Sequence, residues 1–280
     1  MARHIDSLID PTLKHLRERW WDSDFSEFLA ETLRPRPGRR ILDVGCGDGT
    51  AELSLGRLKI SQIDLFAVDK RFDRVAQTAE NASAHNVRVK VAAADAMNLP
   101  FANDTFDSTF CVAVLQHVRD VTAAVRELAR VTKPGGRIVA VEPDNAARYW
   151  FSSIEEGQRA YEAGSKFFAA AIHARGDGTD PSVGPKLTGF FAASRVEPLS
   201  VDLFPVSVTR LGPPPAAIWR GRREAIARLL EGVDDPNVQQ LADEYRRLLD
   251  AYEQAASRAG AALVEIQNTM LFAAVGQKPE

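Results

Sequence analysis

The 280-residue sequence holds only two cysteines, Cys46 and Cys111. Neither stands in a CxxC or other metal-ligand spacing, so a thiolate zinc site is excluded and a reduced, cytoplasmic protein is the default expectation. Long apolar runs are also missing: none reaches the roughly 18 residues that a membrane span needs. The opening stretch MARHIDSLIDPTLKHLRERWWD has no continuous apolar core, so neither a signal peptide nor a membrane anchor is expected there. Strong charge is absent as well. A net charge of −3 offers nucleic acid no general attraction, and no nucleic-acid partner is expected. What is present is an ordinary globular composition, 45% hydrophobic and 26% charged, in a chain long enough to bury a substantial core.

From residue 39 to 142 the pattern alternates between strand and helix. Arg40–Val44 is a short apolar run stopped by glycines, and Thr50–Leu55 reads as a helix start. Ile63–Val68 is a second strand ending at Asp69, followed by a helical stretch, Phe72–His85. A third strand, Val87–Val91, ends before Asp95, and Phe106–Val114 is β-branched and apolar enough for a fourth. Val121–Val131 has helical spacing, Lys133-Pro-Gly-Gly136 should terminate it, and Arg137–Val141 is a fifth strand ending at Glu142. Such alternation argues for βαβ units in a parallel, doubly wound α/β sheet. Ligands bind such sheets beyond the carboxyl ends of the strands, where Asp43, Asp69, Asp95, Cys111 and Glu142 all fall.

After Glu142 the alternation lapses. Residues 145–194 carry Tyr149, Trp150, Phe151, Tyr161, Phe167 and Phe168 on what read as helical segments, and suggest a helical cap inserted after the fifth strand. Residues 196–208 alternate like a strand, stretches near 216–231 and 236–259 read as helices, and 262–275 reads as a last strand. The expected organisation is an N-terminal helical segment (1–38), a ligand-binding core (39–144), the cap (145–194), and the rest of the sheet (195–280) with a helical insertion at 213–260.

The chemistry concentrates in Ile41-Leu-Asp-Val-Gly-Cys-Gly-Asp-Gly-Thr50. A strand, a GxGxG turn, a helix and an acid ending the next strand fit two cofactor types. A dinucleotide would place its pyrophosphate on the helix N-terminus, yet the third glycine comes one residue early and Asp48 would repel the phosphates. S-adenosylmethionine carries a sulfonium and an ammonium group and no phosphate, so acids beside the turn suit it. Asp69 serves either reading, because a carboxylate there bonds a ribose diol.

With these motifs in order, residues 39–142 resemble the class I S-adenosylmethionine-dependent methyltransferases, particularly the small-molecule group that includes ubiquinone-type C-methyltransferases. The glycine stretch is similar to that family's first motif and Val68-Asp69 to the second. Ala94-Asp-Ala-Met-Asn-Leu-Pro-Phe101 resembles the third, residues 106–117 the fourth-strand motif, and Leu128–Gly136 the helix and turn before the fifth strand. The resemblance implies a Rossmann-like sheet of seven strands, mostly parallel with an antiparallel last strand. It implies that Gly45, Cys46, Gly47, Asp48 and Gly49 lie along the methionyl part of the cofactor, with Asp43 near its cationic groups. Asp69 would bond the ribose with Lys70 flanking the adenine, and Asp95 would take the adenine amine beside Ala96 and Met97. Cys111, Val112 and Gln116 would line the cofactor's other side. An Asn/Asp-Pro-Pro-aromatic motif, usual in methylation of exocyclic amines, is absent; Cys111-Val-Ala-Val114 stands in its place.

The expected activity is methyl transfer to the oxygen, nitrogen or carbon of a small molecule by in-line displacement. His117, Glu142, Tyr149 and His173 are the candidate proton acceptors, while the two cysteines read as packing residues. No metal site is expected, Glu142, Asp144 and Asn145 being too thin a cluster. An NAD(P)-dependent oxidoreductase and a non-catalytic S-adenosylmethionine-binding protein are the alternatives.

Overall fold

The computed structural model describes residues 20–57, 63–145, 147–176 and 178–280; the start of the expected N-terminal segment lies outside the described residues. Two compact units emerge. The first comprises Trp21–Asp144, Gly178–Phe204 and Leu271–Glu280. It contains helices α1 (Ser23–Leu33), α2 (Thr50–Arg57), α3 (Phe72–Ala84) and α4 (Val121–Val131), with strands β1 (Arg40–Val44), β2 (Asp64–Asp69), β3 (Val89–Ala93), β4 (Phe106–Val112) and β5 (Thr132–Pro143).

These strands lie in the order β3-β2-β1-β4-β5, with parallel pairing throughout. Residues 271–277 of strand β8 (Val264–Gln277) add an antiparallel neighbour to β5, from Arg137 opposite Gln277 to Pro143 opposite Leu271. Burial on both faces explains the apolar runs: Ile41, Leu42, Phe110, Ile138 and Val139 are fully buried. Helix α4 shows the complementary pattern, burying Val121, Ala124, Val125, Leu128 and Val131 as one stripe at helical spacing. Asp120 caps it by accepting the Ala123 N–H at 2.9 Å. With Leu42, Phe106, Ile138 and Ala274, and with Leu187 and Phe191 of α6 (Leu187–Ala193), that stripe forms the core of this unit. Helix α1 buries Phe25, Leu29 and Leu33 and stops where Arg34 turns left-handed at φ 49°.

Helix α4 ends at Val131, just before Lys133-Pro-Gly-Gly136, but the fifth strand begins earlier than expected. The Lys133-Pro-Gly-Gly136 turn lies inside β5, because the register with β4 shifts between Phe106 and Ser108 and absorbs the extra residues as a bulge.

Among the described residues the second unit comprises Trp20, Asn145, 147–176 and Pro205–Met270. Strand β6 (Tyr149–Ser152) pairs antiparallel with the first half of β8, from Tyr149 opposite Asn268 to Ser152 opposite Glu265. Tyr149, Trp150 and Phe151, expected on helical segments, therefore lie on a strand, and the described residues form eight strands rather than the expected seven. A four-residue strand is too short for its period to show, and its partner lies more than a hundred residues away. Helices α5 (Glu155–Arg175), α7 (Ala216–Leu230) and α8 (Pro236–Ala259) enclose a core that includes Phe167, Trp219, Leu249 and Tyr252. Within it Arg222 donates through Nη2 to both carboxylate oxygens of Glu265 at 2.9 Å, under the Trp219 ring.

Strand β7 (Glu197–Leu211) pairs with β8 and contributes residues to both units. The segment expected to form a cap, 145–194, likewise divides, its part from Gly178 onward belonging to the first unit.

Candidate cofactor site

The carboxyl edge of β1 and β2 builds the turn that the sequence singles out. Gly45, Gly47 and Gly49 all hold positive φ, at 89°, 59° and 85°. Gly45 and Cys46 donate their N–H groups to the Val68 carbonyl at 2.6 and 3.0 Å, which curls the chain over the end of β2. Two of the glycines are needed for close approach: a Cβ on Gly45 would overlap the Val114 side chain, and one on Gly49 would lie 3.2 Å from Thr78 Cα. Gly47 differs. A Cβ there would meet nothing within 4 Å, so the turn at Gly47 faces open space.

Four acids surround this turn. Asp69 ties β2 to it, accepting the Gly47 N–H through Oδ2 at 3.1 Å and the Arg71 N–H through Oδ1 at 2.9 Å. Each oxygen keeps a lone pair for a ligand hydroxyl. Exposed Asp48 accepts from the Thr50 hydroxyl at 2.7 Å and the Thr50 N–H at 3.3 Å, so a carboxylate occupies the N-terminus of α2. Asp43 is 2% exposed, and Glu52, from the first turn of α2, is wholly buried. Burial, then the Glu52 charge and hydrogen bond and the Asp69 charge, hold the Asp43 carboxyl well above its ordinary range. Burial likewise lifts Glu52. Cys46, expected beside the cofactor, accepts the Thr78 hydroxyl at 3.3 Å, and burial keeps its thiol protonated.

At the end of β3, Asp95 accepts the Met97 N–H through Oδ1 and Lys70 Nζ through Oδ2, at 2.9 and 2.8 Å. Burial pushes Asp95 up, but those two bonds and the charges of Lys70 and Arg119 outweigh it and hold the carboxyl below its ordinary range. Lys70, Asp95 and Met97 are thus brought together, and Ala96 and Met97 pack onto the core beside them.

Beyond β4 the candidates diverge. Cys111 is buried with its thiol pushed up, and Val112 pairs with Val141. Ala113 then takes φ 57°, an uncommon conformation for a residue with a side chain. Glu142 accepts the N–H groups of Val114, Leu115 and Gln116 at 2.7, 2.6 and 3.4 Å, which holds the short 3₁₀ turn Leu115–His117 against β5. Its observed work is anchoring backbone, with no side chain exposed to take a substrate proton. His117 ends that turn, half-buried. Tyr149 and His173 belong to the second unit, Tyr149 on β6 and His173, exposed, in the last turn of α5.

Sequence reading missed Glu52, Thr78, Asn81 and Ala113. Thr78 Oγ1 also donates to the Gly47 carbonyl at 3.1 Å, and Asn81 Nδ2 to the Asp48 carbonyl at 2.7 Å, so α3 braces the turn from below. For Glu52 a signal existed: it lies nine residues after Asp43, on a helix beginning directly after the turn.

The edge therefore offers carboxyl groups, an open left-handed glycine and a strained turn after β4. These suit a ligand with cationic groups and a ribose, and S-adenosylmethionine fits that description.

Comparison with known proteins bears on the same region. A family profile described as a methyltransferase domain matches residues 42–140. An O-methyltransferase of Pyrenophora dematioidea is 37% identical over 106 residues, covering 38% of this chain and 40% of that protein. A demethylmenaquinone methyltransferase of Mycobacterium marinum is 32% identical over 154 residues, covering 55% of this chain and 61% of its own. The chain spans about half the length of the curated relatives it matches. Among solved structures, the YcgJ protein of Bacillus subtilis shares the fold, with a TM-score of 0.58 at 19% identity over 91% of this chain and 98% of that one. The ordered motifs, the sheet and the matching profile agree: residues 42–140 match a methyltransferase domain.

Proposed function

We propose that this protein is an enzyme that transfers a methyl group from S-adenosylmethionine to the oxygen, nitrogen or carbon of a small-molecule acceptor. The observation that carries the reading is the position of Asp48. Its carboxylate already caps the helix that a dinucleotide would need for its pyrophosphate, and Asp43 and Asp69 add negative charge around the turn. That arrangement favours a sulfonium and an ammonium group and disfavours NAD(P).

When bound, S-adenosylmethionine supplies an electrophilic methyl group on a leaving group that departs as a neutral thioether. The protein's own task is then alignment and exclusion of water. Asp69 would hold the ribose hydroxyls, and Asp95 with Met97 the adenine. Glu142 keeps residues 114–116 rigid along the other side of the edge. An acceptor hydroxyl or carbon acid gives up a proton during transfer, and His117 is the candidate in this unit to accept it.

The names of the relatives, an O-methyltransferase and a demethylmenaquinone methyltransferase, favour a small-molecule acceptor. The buried free thiols of Cys46 and Cys111 suit a reducing compartment, and the cytoplasm is the proposed location. No helix among the described residues is long and apolar enough to cross a membrane. Calorimetric titration with S-adenosylmethionine and with NAD(H), followed by transfer of a labelled methyl group to a panel of metabolites, tests the reading. Tight NAD(H) binding without S-adenosylmethionine binding would overturn it. Binding with no methylated product across the panel would instead favour a non-catalytic binding protein.

A further inference from the structure

Glu52 is the one buried acid at this edge that the proposed mechanism leaves unused. It has no exposed surface, and neither of its carboxylate oxygens finds a hydrogen-bond donor on another of the described residues. The one side chain it engages is another acid, Asp43, itself almost wholly buried. Two ionised carboxylates can only accept, so a hydrogen bond between them requires a proton. Glu52's own backbone N–H favours its charged form, but the other groups acting on the pair do not relieve it. Asp48, at the start of α2, and Asp69, at the end of β2, both add negative charge, and the neighbouring thiols of Cys46 and Cys111 stay protonated. No Lys, Arg or His among the described residues contributes to either carboxyl group.

We propose that Asp43 and Glu52 share one proton in the ligand-free protein, and that an arriving α-ammonium group expels it. This rests on the reading that the glycine turn receives S-adenosylmethionine. Charge then balances locally: the pair passes from one negative charge to two, the ligand brings a positive group, and the proton leaves to solvent. Asp43 is the member reached from the turn, since it alone of the two keeps any exposure. Glu52 is a positioning residue that donates through the shared proton, orients Asp43 and makes cofactor affinity depend on pH. While the free pair is protonated, one proton leaves per ligand bound, so affinity rises tenfold for each unit of rising pH and levels off where the free pair is already ionised. Glu52→Gln supplies a permanent N–H to Asp43 and removes the exchangeable proton.

The test is calorimetry of the full-length protein in mildly acidic buffers of different ionisation enthalpy, which counts protons released on binding. Wild type should release close to one proton with S-adenosylmethionine and none with 5′-methylthioadenosine, which keeps the nucleoside but lacks the amino-acid portion. Glu52→Gln should bind with little dependence on pH and release none. Binding of S-adenosylmethionine by wild type without proton release, or equal release with both ligands, overturns the shared proton and leaves the methyl-donor reading standing. Failure of wild type to bind S-adenosylmethionine overturns both. Because the wild-type proton count decides the matter alone, a Glu52→Gln protein that does not fold leaves the proposal falsifiable.

Discussion

Asp69 Oδ2 accepts the Gly47 N–H at 3.1 Å, so the acid that ends β2 holds the turn that follows β1. The same carboxylate is the proposed ribose ligand. Asp69→Ala should therefore weaken S-adenosylmethionine binding by about 1–3 kcal/mol, the scale of a lost charged hydrogen bond. Titration calorimetry measures this directly, and unchanged affinity would remove Asp69 from the site.

Gly45 and Gly47 should fail in different ways when replaced by alanine. At Gly45 the new methyl group overlaps Val114 and the backbone is left-handed, so stability should fall by about 2–4 kcal/mol. Val114→Ala should recover part of that loss. At Gly47 only the backbone term applies, about 1–2 kcal/mol, while the methyl group projects into open space and should obstruct cofactor binding. Urea denaturation and calorimetry on both variants separate the two effects.

Glu142 decides between anchor and base. If it anchors residues 114–116, Glu142→Gln turns an amide group toward backbone N–H donors and costs about 2–3 kcal/mol of stability. The pH profile of the remaining methyl transfer should then keep its shape. A variant of native stability whose activity has lost its dependence on a basic group would restore Glu142 as the proton acceptor.

The Asp43–Glu52 pair also predicts how stability varies with pH. Its carboxyl groups are raised in the folded state, so the folded protein binds more protons than the unfolded chain between the ordinary carboxylate range and the raised one. The pair's stabilising contribution is complete below the ordinary range and is lost as pH rises through the raised range, by at most about 1.4 kcal/mol per pH unit for one proton. Glu127, held below its ordinary range by its bonds to Arg130, acts in the opposite sense at lower pH. Urea midpoints of the ligand-free protein should fall from mildly acidic to mildly alkaline buffer, and Glu52→Gln should flatten that fall. A flat wild-type profile would contradict the paired burial.

Much of the geometry of the candidate site was legible because it follows from local rules. Apolar runs stopped by Gly45, Asp69 and Glu142 locate strand ends, and three glycines in five residues announce a turn that needs positive φ. Sequence alone could not show that Glu142 spends its oxygens on the amides of residues 114–116, since that depends on how β4 and β5 align. Nor could it show the strand at Tyr149–Ser152, whose pairing partner is Glu265–Asn268.

The sequence by itself determined the alternating core, the glycine turn and the acids at its rim, because period and turn chemistry act over a few neighbouring residues. The tertiary structure alone decided which acids are paired, buried or free to meet a ligand. Helix α2 could have turned Glu52 to solvent; packing buried it completely, and burial holds both its carboxyl group and that of Asp43 above their ordinary range.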